Sequence, residues 1–171
     1  PDAQAMLDYV KGKISERKLR LFGVACCTRI CHLLTDERSR VTIECAEQYA
    51  DGLISIPELT GIAKQANNVP VIHTNPADER HAATAAYMLV GSSREVERVA
   101  SWAAEAVAWK TIPTQGYYEA QMDESLELME RGDQAFLLRD ILGNPNRPIS
   151  IDITSLIWKD STVSKIAQSI Y

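Results

Sequence analysis

Nothing in this sequence approaches the run of about 18 apolar residues that a membrane span needs, so no membrane partner is expected. Positive charge is not in excess either: 18 Lys and Arg stand against 23 Asp and Glu, a net charge of −5. A chain of that sign is a poor general binder of phosphate backbones. There is no Gly-rich phosphate loop and no Walker motif, which disfavours a P-loop nucleotide enzyme. No Ser sits in a Gly-x-Ser-x-Gly elbow, and no Cys-x-x-Cys pair marks a zinc ribbon. No fixed-period repeat is present, so no named repeat class follows.

What remains is an ordinary globular composition, 46% hydrophobic and 24% charged over 171 residues. It predicts one soluble helical domain over residues 1–171, long enough to bury roughly two thirds of the surface its unfolded form exposes. The helix pattern reaches Tyr171 without a stop signal, so the domain is expected to be cut short at that end. Three of the four cysteines, Cys26, Cys27 and Cys31, lie in the most apolar stretch, and Cys45 follows on the next helix. That spacing predicts reduced, buried thiols and a cytoplasmic protein.

Residues 3–14 read as a short helix. Residues 17–34 form a central one, apolar on most sides through Leu19, Phe22, Cys26, Cys27 and Ile30. After Thr35-Asp36-Glu37 comes a helix whose inward stripe is read as Val41, Cys45, Tyr49 and Leu53. Ser55 with Glu58, and Ser92 with Glu95, are capping boxes. A helix of about fifteen residues, rich in alanine, follows Asn75-Pro76. The Ser92 helix is read to about Lys110, broken by Pro113 and Gly116, and another spans 118–142 up to Gly143. Ile149, Ile151 and Ile153 alternate with polar residues after two prolines, which predicts an extended arm over 144–153. Asp160 caps a last helix with Val163, Ile166, Ala167 and Ile170. Consecutive helices on short connections predict an all-α fold, a bundle or short array of antiparallel helical hairpins.

Several groupings bear on chemistry. His73, Asp78 and His81, with Glu79, could bind a metal or act in acid–base work. The ordinary reading outweighs this: the carboxylates serve a helix start, and the histidines lie on the surface. Cys27 and Cys31, four apart, with His32 and Cys45, form a possible thiolate set, against which stands the reading of Cys as a small buried hydrophobe. Lys11, Lys13, Arg17, Lys18 and Arg20 make a basic N-terminal region that could meet nucleic acid or an acidic partner. Asp123-Glu124 and Glu127–Glu130 read as a solvated acidic face. Trp102 and Trp109, seven apart, read as core packing, and Trp158 precedes the last helix. No cofactor is expected.

Two stretches carry a family resemblance. Arg17-Lys18-Leu19-Arg20-Leu21-Phe22-Gly23-Val24-Ala25-Cys26-Cys27-Thr28-Arg29-Ile30 is followed by Leu34-Thr35-Asp36-Glu37-Arg38-Ser39-Arg40 and Ala46-Glu47-Gln48-Tyr49-Ala50-Asp51-Gly52. Leu138-Arg139-Asp140-Ile141-Leu142-Gly143-Asn144-Pro145-Asn146-Arg147-Pro148 is followed by Trp158-Lys159-Asp160-Ser161-Thr162-Val163. Together they resemble an uncharacterised, paralogous bacterial family of the planctomycete type, whose motifs read RKLRLFxxACCxRI, LLTDERSR and LRDIxGNPxRP. The resemblance implies a chain that continues past Tyr171 and implies no activity or catalytic residue. Thr28 and Asn146 depart from the family's usual Arg and Phe.

The leading expectation is a non-enzymatic protein-interaction or scaffold module with a protein partner, Arg147 and Trp158 being its contact residues. The alternatives are a metal-assisted hydrolase using His73, Asp78 and His81, and a nucleic-acid-binding module using the basic N-terminal helices.

Overall fold

Helix starts follow the local chemistry of the chain. The structure is a computed structural model, and it describes residues 2–66, 76–114 and 117–143. Asp2, Ser15, Asp36 and Asp123 each accept a backbone N–H two or three residues on, opening α1 (Ala3–Val10), α2 (Glu16–Arg29), α3 (Glu37–Ala50) and, far along the chain, α8 (Glu124–Leu142). A short 3-10 turn, Cys31–Leu33, ends the α2 segment. In the box that starts α4 (Ile56–Ala66), the Ser55 N–H and hydroxyl both donate to Glu58 Oε2 at 2.7 Å. The Ser92–Glu95 box starts α6 (Ser93–Val96) in the same way. In both boxes the serine N–H holds the glutamate carboxyl below its ordinary range. Between them lies α5 (Ala77–Met88), and α7 (Val99–Ala108) follows α6.

The stretch after α7 departs from the expectation of a helix to about Lys110, a break at Pro113 and Gly116, and a new helix from 118. The helix stops at Ala108, and the chain enters an antiparallel hairpin of β1 (Trp109–Thr114) and β2 (Tyr117–Met122), with Trp109 opposite Met122 and Pro113 opposite Tyr118. Residues 118–122, read as helix, are strand. Pro113 is tolerated because a two-stranded ribbon consists of edges, where a missing N–H need not break a ladder. The Asp123 N–H donates to the Ala108 carbonyl, closing the base of the hairpin as α8 begins. The remaining described architecture is helical and packed as a bundle, in agreement with the all-α expectation. The arm at 144–153 and the helix after Asp160 lie outside the described residues.

α2 is the central helix, as its all-round apolar pattern predicts. Leu19, Phe22, Cys26, Cys27 and Ile30 are buried, and α3, α5, α6, α7 and α8 all pack against it. α5 and α7 pack against each other, and Ala82, Ala83, Ala85 and Ala86 on one and Ala100, Ala103, Ala104 and Ala106 on the other are all buried. Side chains this small bring helix axes to the short end of the usual 8–10 Å separation. On α3 the inward face differs from the expected stripe. Ser39, Thr42, Ile43 and Ala46 are buried, whereas Val41 and Leu53 are exposed. Thr42 can face inward because its hydroxyl donates to the Arg38 carbonyl at 2.7 Å, leaving no orphan polar group. Among the described residues, no helix is long and apolar enough to cross a membrane.

A polar lock fixes α8 against this core. Arg29, at the end of α2, holds the buried Glu130 carboxylate with two bonds of 2.9 Å, and reaches Asp133 at 2.5 Å. The bidentate bond raises the guanidinium pKa above its ordinary value. Gln134, one turn on, donates to the Ala100 carbonyl of α7 at 3.0 Å and to Glu130 at 3.3 Å. Arg29→Met strands a buried carboxylate and is expected to lower unfolding free energy by about 2–3 kcal/mol. Asp133→Asn removes an exposed arm of the same lock and is expected to cost no more than about 0.5 kcal/mol. Urea unfolding of the two variants beside the parent measures both.

Candidate functional site

The start of α5 holds the described part of the expected metal segment. Asp78 and Glu79 occupy its first turn, where negative charge complements the helix dipole. Pro76, at the cap position, offers no side-chain acceptor. The Thr111 hydroxyl of β1 takes that role, accepting the Ala77 N–H at 2.9 Å and donating to Asp78 Oδ1 at 3.3 Å. Glu79 accepts a hydrogen bond from Thr35.

His81 is not the surface residue that the sequence suggested. Its side chain is only 12% exposed. The imidazole lies parallel to Trp109, with ring centres 5.8 Å apart, and is tilted against Trp102 at 5.4 Å. Nδ1 is 2.5 Å from the Ala77 carbonyl oxygen, and Nε2 faces Glu105 at 3.5 Å. Glu105 also accepts from Ser101 at 3.3 Å. The start of the hairpin places Trp109 over the ring, which is why spacing along a single helix could not foresee the contact. Asp78 and His81 thus each engage groups that the sequence reading had not connected to them: Thr111 for one, Glu105 and the tryptophans for the other. His73 lies outside the described residues. Among the described residues, no three His, Cys, Asp or Glu side chains gather as a metal site.

The cysteines divide in two. Cys26 and Cys27 are fully buried, and burial raises both thiol pKa values well above the ordinary range. Cys31 and Cys45 are half-buried, and burial, with Glu44 nearby, raises Cys45. The expectation of buried thiols therefore holds fully for Cys26 and Cys27 alone.

The basic N-terminal side chains each meet a neighbour. Lys11 pairs with Glu97 at 2.8 Å, and Arg17 pairs with Asp51 at 2.7 Å. Lys13 sits 4.1 Å from the centre of the Tyr9 ring, and Lys18 donates to the Leu142 carbonyl at 3.3 Å. Arg20 is buried; it donates to the carbonyls of Leu89 and Gly91, just past α5, and lies over the Tyr49 ring. A cation there complements the negative end of the α5 dipole, a structural role.

Among the described residues, the outer side of α8 gathers three exposed large apolar side chains. Leu128, Met129 and Phe136 are 71%, 68% and 57% exposed. Large apolar groups clustered on one helix face mark a contact surface more often than scattered ones do. Gly132 lies between them, and a Cβ there would meet nothing within 4 Å among the described residues. The carboxylates expected to form a solvated face on this helix do not act together. Glu130 is buried on Arg29, and Glu127 pairs with Arg131 at 2.6 Å. The sequence reading missed this apolar side; Leu128 and Phe136, eight residues apart, fall on one side of a helix, but periodicity does not say which face turns inward. Arg147 and Trp158 lie outside the described residues.

In comparisons with known proteins, no family profile, no curated protein and no solved structure matched the chain.

Two outcomes follow from this geometry. Thiol labelling of the native protein near pH 8 is expected to modify Cys31 and Cys45, with Cys26 and Cys27 reacting only after unfolding; peptide mass spectrometry assigns the sites. Thr111→Val removes the tertiary cap of α5 and is expected to lower stability by about 1 kcal/mol, seen as a drop in the melting temperature.

Proposed function

We propose that this chain is a non-enzymatic helical interaction or scaffold module of the bacterial cytoplasm, and a member of the paralogous family that its Arg17–Ile30 and Leu138–Pro148 segments resemble. The observation that carries the reading is the outer side of α8, where Leu128, Met129 and Phe136 leave a contiguous apolar face in water. Burying such a face is favourable by about 25 cal/mol per Å2, and a protein partner is the ordinary means of doing so. The inner side of the same helix is held by Glu130 and Gln134, so the outer face is presented on a rigid support. The hydrolase reading through His73, Asp78 and His81 and the nucleic-acid reading through Lys11, Lys13, Arg17, Lys18 and Arg20 have no comparable observation in their favour.

The test uses the tagged parent chain and its Phe136→Asp variant as baits in extract from the native host. The variant changes an exposed position, so its circular dichroism is expected to match the parent. A protein recovered in stoichiometric amount by the parent is expected to fall at least about tenfold with the variant, equivalent to about 1.4 kcal/mol. Equal recovery with both baits, or no partner with either, overturns the reading. One divalent metal per purified chain favours the hydrolase instead.

A further inference from the structure

Resting on the interaction reading above, we propose that the outer face of α8 packs antiparallel against the same face of a second copy of this chain, the two helices crossing at Gly132. Glycine is the least favourable helix-interior residue after proline. Among the described residues, nothing within 4 Å requires a missing side chain at Gly132. The hollow it leaves has Leu128 four residues before it, Met129 three before it and Phe136 four after it, all exposed. Knobs set equally on both sides of a hollow are complementary to the same pattern reversed. A two-fold axis through Gly132 places Phe136 of each copy opposite Leu128 of the other and lets the backbones approach at the crossing.

Charge selects the antiparallel direction. Glu124 and Arg139 are exposed and lie eight and seven residues from Gly132 on opposite sides. At about 1.5 Å per residue, the two-fold axis brings Arg139 of one copy level with Glu124 of the other to within about 1.5 Å along the helix. At about 100° per residue, Glu124 and Arg139 lie within roughly 60° of each other, at the edge where the buried Ala135 joins α8 to its own core. Neither charge has an ion-pair partner among the described residues. Arg139 lies 5.6 Å from the centre of the Phe136 ring, at the edge of the apolar face. A parallel pair would oppose Arg139 to Arg139 and align the helix dipoles. The contact is isologous, so it closes as a dimer and does not propagate. One helix crossing buries less than the roughly 1,200 Å2 of a standard interface, which sets the affinity in the micromolar range or weaker.

Sedimentation equilibrium from about 1 μM to 1 mM spans that range. The mass is expected to rise from 19.0 kDa toward twice that value. Arg139→Glu and Glu124→Arg are each expected to weaken association about tenfold, and the double variant to restore it. Gly132→Leu is expected to remain monomeric while its melting temperature at low concentration rises, since leucine favours helix and has open space there. A purely structural glycine would give the opposite shift. A parent mass fixed at 19.0 kDa throughout overturns the proposal. Peroxide oxidation of Met129, read by mass spectrometry, then separates the two readings. Rapid oxidation in the monomer means a free face, so the interaction module stands without the second copy. Protection in the monomer means that the chain itself covers the face, and both readings fall.

Discussion

The structure depends on how closely α2, α5 and α7 approach one another. A Cβ at Gly23 of α2 would lie 2.7 Å from Leu89 Cδ2 and 3.3 Å from Val96 Cγ1, so a side chain at this position would have to displace the buried Leu89 methyl. α5 and α7 pack together nearby, and both are rich in alanines that are wholly buried or nearly so. Close packing of small residues leaves little side-chain volume at the centre. Phe22, Ile30, Leu34 and Leu89 fill the space around it. Interiors packed at crystal-like density tolerate little movement, so each neighbouring helix has a narrow range of positions.

Apolar contact alone would not choose among those positions, because alanine faces are nearly featureless. Directional polar contacts make the choice. Arg20 ties α2 to the carbonyls that end α5, Arg29 grips Glu130 of α8, and Gln134 binds the backbone of α7. Each joins different helices, and each satisfies a group that burial would otherwise penalise. The orientation of α8 follows from the last two. With Glu130 and Gln134 turned inward, Leu128, Met129 and Phe136 must turn outward. The exposed face on which the functional proposal rests is thus a consequence of the packing, since a helix cannot bury both sides against one core.

Much of the helical plan was legible because caps are local. Asp36 and the Ser55–Glu58 and Ser92–Glu95 boxes, all read from the sequence, act within three residues, whereas the caps at Asp2, Ser15 and Asp123 were not read. The burial of α2 was legible because its apolar residues cover most of the circumference. Reading failed where two periods competed. Trp109 continues the face of Val99, Trp102 and Ala106 on a helical count, yet Thr111, Ile112 and Thr114 favour strand, and the chain turns into the hairpin at Trp109. It also failed on α3, where hydrophobicity pointed to Val41 and Leu53, while Thr42 and Ser39 could be buried with little penalty in a tight space.

By itself, then, the sequence determined an all-α fold with a buried central helix and most of its helix boundaries, because periodicity and capping act over a few residues. Tertiary structure decided which polar residues went inside, that Thr111 caps α5, that His81 lies between Trp102, Trp109 and Glu105, and which side of α8 met water. Those outcomes join residues up to about a hundred positions apart, as Arg29 and Glu130 are. Such contacts form only when packed helices bring their partners within reach, and no local pattern encodes them.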